Sequence, residues 1–138
     1  MCGFFISPSS FDQKKANFLF EKYIAYRGVL PKKELVCNQY NFKFSRLPIV
    51  DVDAYQNQPY QYKNHVLVFN GELYNYQNIR KLLEKKYKVQ FTSKTDLEVF
   101  LKGFLTLGPK KFFKIACGMW AYVISDKLGN FFWWRDEY

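Results

Sequence analysis

Apolar and polar positions change their spacing several times along this chain, and each change predicts an element. Residues 2–6 carry the apolar run Phe4-Phe5-Ile6, which predicts a short buried strand at the N-terminus. Ser9 or Ser10 then stands where a helix cap belongs, ahead of Phe11, Phe18, Leu19, Tyr23 and Ile24; Gly28 and Pro31 end that helix. Tyr40, Phe42 and Phe44 alternate with polar residues, as in a half-buried strand that leads to Arg46. Residues 51–64 are polar and rich in Gln, Asn and Tyr, and predict a loop. Val66 to Phe69 predicts a short apolar strand ending at Asn70-Gly71, a dipeptide that first of all signals a tight turn.

The middle of the chain switches to helical spacing. Ile79, Leu82 and Leu83 share one face of a helix over 76–86. A second helix starts near Thr95 with Leu97, Phe100, Leu101, Phe104 and Leu105, and Gly108-Pro109 stops it. A third, short one holds Phe112, Phe113 and Ile115. Met119 to Ile124 then predicts a strand, with Phe131 to Trp134 as its hairpin partner across 127–130. The order predicts helices packed on sheets in a layered α+β fold. There is no internal repeat, low-complexity segment or interdomain linker, so 138 residues read as one domain.

Composition supports a folded core, since 49% of residues are hydrophobic and 21% aromatic, spread along the whole chain. The net charge of +9 raises the question of an anionic partner. Its lysines come in small groups, such as Lys14-Lys15, Lys32-Lys33 and Lys110-Lys111, which read as solvated faces. No nucleic-acid signature accompanies them. Cys2, Cys37 and Cys117 are odd in number and lack metal-ligand spacing, which excludes a disulfide framework and predicts a reducing compartment and no metal. Neither a signal peptide nor an apolar run of roughly 18 residues occurs, so the chain is expected to be cytoplasmic and free of membrane.

The candidate chemistry starts with what is scarce. His65 is the single histidine and reads as a strand-edge residue of no special role, so a reactive cysteine needs another base. Cys2 offers one. Its small side chain permits removal of Met1, and the freed α-amine, of pKa about 7.7–8.0, then sits beside a thiol of about 8.5. One residue would supply nucleophile and base. Gly3 lets substrate or backbone approach closely. Asn70-Gly71 is either a turn or a pair of oxyanion donors, the side-chain amide and a backbone N–H. Arg46 is either a surface arginine or a bidentate clamp for a carboxylate. Asp96 lies in Thr95-Asp96-Leu97-Glu98, a capping-box pattern, and either supports the helix dipole or pairs with an ammonium. Together these four features fit one substrate, an amino acid with a side-chain amide.

The same residues carry a family resemblance. The chain resembles the glutaminase domain of class II glutamine amidotransferases, of the glutamine-hydrolysing asparagine synthetase type. The matching segments run in family order: Met1-Cys2-Gly3-Phe4, Arg27-Gly28, Arg46 to Asp51 with Gln58-Pro59, Phe69-Asn70-Gly71-Glu72-Leu73-Tyr74-Asn75-Tyr76, Ser93 to Val99, Gly118 to Tyr122, and Arg135-Asp136. The resemblance implies a four-layer αββα sandwich of the N-terminal-nucleophile hydrolase type over residues 2–138, incomplete at its C-terminus. It implies Cys2, Asn70 and Gly71 as catalytic residues. It implies that Arg46, Leu47, Pro48, Ile49, Val50, Asn70, Gly71, Glu72 and Asp96 bind L-glutamine, Arg46 through its carboxylate and Asp96 toward its ammonium. Two departures stand out. The family's His-Arg-Gly-Pro-Asp block reads Tyr26-Arg27-Gly28-Val29-Leu30 here, and no Ser-Gly-Gly-x-Asp loop occurs. No cofactor is therefore expected in this chain, and ATP and Mg enter only with a synthetase domain, attached or partnered. The expected function is glutamine hydrolysis that supplies ammonia for amide transfer. The alternative is a non-catalytic relative that binds glutamine or a partner.

Overall fold

Why the chain begins as a strand is visible in its pairing. In this computed structural model, which describes residues 2–29, 31–47 and 58–136, strand β1 (Gly3–Pro8) pairs antiparallel with β3 (Tyr40–Ser45). Strand β2 (Lys33–Cys37) pairs antiparallel with the other edge of β3, giving the order β1-β3-β2. A second sheet has the order β4-β5-β6-β7, from β4 (Tyr60–Tyr62), β5 (His65–Leu73), β6 (Gly118–Ser125) and β7 (Phe131–Arg135). The helices are α1 (Gln13–Tyr23), α2 (Tyr76–Tyr87), α3 (Asp96–Leu107) and α4 (Pro109–Phe113), with a 3-10 turn at Ala25–Arg27. The chain divides into two units, Met1–Asn70 with Ala121–Trp134, and Gly71–Trp120 with Arg135–Tyr138.

The first unit is built on the two sheets. Phe42 and Phe44 of β3 share one buried cluster with Val66 and Val68 of β5, and Phe4, Ile6, Leu35, Tyr40, Val123 and Phe131 pack against it. The register Phe4↔Phe44 and Ile6↔Phe42 puts these side chains on one face of the first sheet. The opposite face carries Gly3, Phe5, Ser7, Lys43 and Ser45. Helix α1 packs against β1 and buries Ala16 and Phe20. The second unit is helical around α3, whose residues Leu97 to Phe104 are all buried. Gly103 leaves room for Phe112, whose ring lies where a Cβ would be at 2.7 Å. Phe100 then meets Phe112 edge to face, with 5.1 Å between centroids.

Several sequence expectations need correction. The cap of α1 is Asp12, which accepts from the N–H groups of Lys14 and Lys15; it is neither Ser9 nor Ser10. Phe18 and Tyr23 are exposed, and their rings instead lie near the Lys22 ammonium. Strand β2 was not expected. It is set by the turn Asn38-Gln39, both at positive φ, which matches the twist of a tight hairpin. Strand β4 falls inside the expected loop because Tyr60 and Tyr62 pair with Leu67 and His65. Asn70-Gly71 is not a turn: β5 runs straight through it to Leu73. Helix α4 ends before Ile115. Among the described residues no helix is long and apolar enough to cross a membrane.

Candidate active site

Cys2 stands half-buried just ahead of β1, with the main chain of Leu47 at its sulfur. The Leu47 N–H donates to Sγ at 3.4 Å, and the thiol donates to the Leu47 carbonyl at 3.6 Å. The Arg27 Nε–H donates to the Cys2 carbonyl at 3.1 Å. Two glycines make this possible. A Cβ on Gly3 would lie 2.7 Å from the Ile24 side chain, and one on Gly28 would lie 2.4 Å from Ser45 Oγ. The segment 24–29 therefore lies directly on the ends of β1 and β3. It is tied there by Ser45 Oγ–H to the Ala25 carbonyl (2.7 Å) and by Val29 N–H to the Arg46 carbonyl (2.9 Å). Arg46 itself is half-buried at the end of β3. Pro48, Ile49 and Val50 lie outside the described residues.

Asn70 closes this unit on β5, half-buried and preceded by Phe69. The buried Gln58 side chain behaves like one residue of a neighbouring strand. Its amide donates to the Phe69 carbonyl at 2.9 Å and its oxygen accepts the Phe69 N–H at 2.6 Å.

In the second unit Gly71, Glu72 and Leu73 continue β5. A Cβ on Gly71 would lie 2.0 Å from the Met119 carbonyl oxygen, and one on Gly118 would lie 2.1 Å from that of Glu72. Only paired glycines allow this approach. The block is fastened again downstream, where Asn75 donates to the Ile115 carbonyl (2.7 Å) and accepts the Cys117 N–H (3.0 Å). Asp96 opens α3, and its Oδ2 accepts the Leu73 N–H at 3.0 Å. Burial raises its pKa above the usual 3.8; the Leu73 N–H opposes that shift, and the nearby Glu72 carboxylate adds to it. Thr95 caps the helix through the Glu98 N–H, as the sequence suggests. Glu98 does not complete the reciprocal box. It is buried and bonds instead to Thr92, Ser93 and Lys102.

The structure thus brings Cys2 beside Leu47 in one unit and Asp96 beside Leu73 and Glu72 in the other. Two residues of these surroundings carry no role in the sequence reading, Arg27 and Gln58, and Glu98 enters it only as part of the capping-box pattern. For Arg27 and Gln58 the signal is their presence in the segments Arg27-Gly28 and Gln58-Pro59. Among the described residues no group of three or more His, Cys, Asp or Glu could hold a metal.

The comparisons with known proteins converge. A family model described as a glutamine amidotransferase domain matches residues 1–138. Asparagine synthetase B [glutamine-hydrolyzing] of Escherichia coli is 42% identical over 82 residues, 59% of this chain and 14% of that protein. Asparagine synthetase [glutamine-hydrolyzing] 1 of Bacillus subtilis is 31% identical over 84% of this chain and 18% of its own length. Asparagine synthetase [glutamine-hydrolyzing] of Rattus norvegicus is 28% identical over 100% of this chain and 25% of its own length. The chain spans a quarter or less of each of these relatives. Among solved structures, glutamine phosphoribosylpyrophosphate amidotransferase from Bacillus subtilis matches with a TM-score of 0.51 at 19% identity, over 81% of this chain and 25% of that one. That likeness bears out the expected fold class.

Proposed function

The chain belongs to the glutamine amidotransferase domain family, and from that premise we propose that it hydrolyses glutamine through Cys2 to supply ammonia, as in asparagine synthesis. With Met1 removed, the Cys2 α-amine takes the thiol proton and Sγ attacks the side-chain carbonyl of glutamine. Asn70, through its side-chain amide, and Gly71, through its N–H, hold the oxyanion. The protonated amine passes its proton to the departing nitrogen, ammonia leaves, and a glutamyl thioester remains. Water then attacks the thioester and releases glutamate, and the thiol is restored. Arg46 holds the substrate carboxylate, residues 47–50 contact glutamine largely through their backbone, and Glu72 and Asp96 contact the substrate, Asp96 toward its ammonium. No step needs a cofactor. The ammonia is supplied to a synthetase domain or subunit that would bring its own ATP and Mg, and a free thiol nucleophile suits a reducing, cytoplasmic compartment.

One observation carries this reading. Cys2 is held at its sulfur by Leu47 and at its carbonyl by Arg27, so the residue that would be nucleophile and base is fixed at both ends. The test is glutamate release from glutamine by the wild-type chain and by Cys2→Ala, after intact mass has shown Met1 absent. Activity in the first and its loss by about 10³-fold or more in the second are expected. Retention of Met1, or equal inertness of both proteins, sinks the proposal.

A further inference from the structure

From Leu97 to Phe104 helix α3 is buried and apolar except at Glu98 and Lys102. Their side chains are 1% and 5% exposed and meet at 2.6 Å. Such a pair is an expensive way to fill a core, because apolar residues of similar volume often stabilise as much or more. Leucine and methionine would continue the pattern of Leu97, Val99, Phe100 and Leu101. The charges therefore call for another explanation, and their partners supply one. Glu98 accepts the Thr92 N–H and hydroxyl at 3.0 Å, the Ser93 N–H at 2.7 Å and the Ser93 hydroxyl at 2.6 Å. Lys102 also donates to the Gln90 carbonyl at 2.7 Å. Ser93 Oγ then lies 2.9 Å from Thr95 Oγ1, the cap of α3. On the other side Arg80 donates to the Ser93 carbonyl and stacks over Phe91 at 4.6 Å. The segment between α2 and α3 is thus held at Gln90, Thr92, Ser93 and Thr95, the last being the residue before Asp96.

We infer that the buried Glu98–Lys102 pair is a positioning device for Asp96. It holds segment 90–95 so that the Asp96 carboxylate stays on the Leu73 N–H and oriented for a substrate ammonium. Glu98 and Lys102 touch no substrate; they act through Thr92, Ser93 and Thr95. The inference rests on the reading of Asp96 as the ammonium partner, and Glu72 is the other charged group that acts on that carboxylate.

The test uses the chain carrying Glu98→Gln with Lys102→Met, the chain carrying Asp96→Asn, and their combination. Replacing both charges leaves no ion buried alone. The KM for glutamine is expected to rise about tenfold in the first variant with kcat changed less than about threefold. On the Asp96→Asn background the same pair of changes should add less than about twofold, since both act on one interaction. An NMR titration of the Asp96 carboxylate gives a second reading that needs no activity: its midpoint should move toward the ordinary value as the carboxylate becomes wetter. Equal effects on KM with and without Asp96, or an unmoved midpoint in a folded variant, overturn the inference. A wild-type chain inert to glutamine ends the proposed activity, yet the titration still decides the positioning role. Where the double change prevents folding, Ser93→Ala removes one donor to Glu98 and is read by the same titration.

Discussion

A methyl group has nowhere to go at Gly71. It would stand 2.0 Å from the Met119 carbonyl oxygen, on a backbone at φ +156°. Gly71→Ala must push β5 and β6 apart where the two glycines interlock, and it is expected to cost about 3 kcal/mol or more, read as a lower denaturant midpoint. Arg27 makes a different demand. Its Nε–H holds the Cys2 carbonyl, so Arg27→Met leaves the nucleophile free to turn while removing only a half-buried side chain. Glutaminase kcat should fall about tenfold or more with circular dichroism unchanged; an unaltered kcat would show that Leu47 alone fixes the cysteine. Candidate residues whose signal is local could be named from the sequence. Cys2 is named by its place at the N-terminus, and Asp96 by its place after a capping threonine. Arg27 and Gln58 were not, because their partners are decided by folding, and Glu98 was read only as part of a capping box although Lys102 lies four positions on. Gln58 meets Phe69 eleven positions away and Arg27 meets Cys2 twenty-five positions away.

Elements were legible where one sequence window decided them. Helices α2 and α3 follow from apolar spacing, and Thr95 was found as a cap because a cap and its amide are three residues apart. At the start of α1 the sequence reading took Ser9 or Ser10 as the cap, whereas the backbone entering the helix selects Asp12. The selection predicts unequal costs. Asp12→Ala removes the acceptor for two N–H groups and should lower stability by about 1 kcal/mol, whereas Ser10→Ala should stay within about 0.5 kcal/mol. Equal losses in thermal unfolding would mean that the cap is shared. Strands β2 and β4 were missed for the opposite reason. Each is short, half-exposed and held by a partner strand, so its own composition says little. The passage of β5 through Asn70-Gly71 was misread on the same ground. The dipeptide favours a turn locally, and the approach of Gly118 and Met119 overrides it.

At the scale of the molecule two carboxylates of α3 have opposite responses to acid. Glu98 resists protonation. Burial raises its pKa, but the bonds from Lys102, Ser93 and Thr92 outweigh that and hold it at about 2, against 4.5 unperturbed. Its contribution to stability is present above 4.5 and disappears only as the pH falls through about 2. Asp96 is displaced the other way, above 3.8, so the folded chain binds its proton more readily than the unfolded chain does. Its contribution to stability therefore falls as the pH rises from 3.8 through the raised value. Ammonium recognition needs the ionised form. On acidification Asp96 is thus protonated while Glu98 remains charged. The pH profile of kcat/KM for glutamine, which reports the free enzyme, should record this. Protonation of the Cys2 amine alone gives a limb of slope about one on the acid side. Protonation of Asp96 adds a second proton, and the slope should steepen toward about two at lower pH, before any loss of ellipticity. In Asp96→Asn the slope should remain about one throughout, at a lower overall kcat/KM. A profile that steepens equally in both proteins, or only where the chain unfolds, would remove Asp96 from glutamine recognition and leave its carboxylate with the single task of accepting the Leu73 N–H.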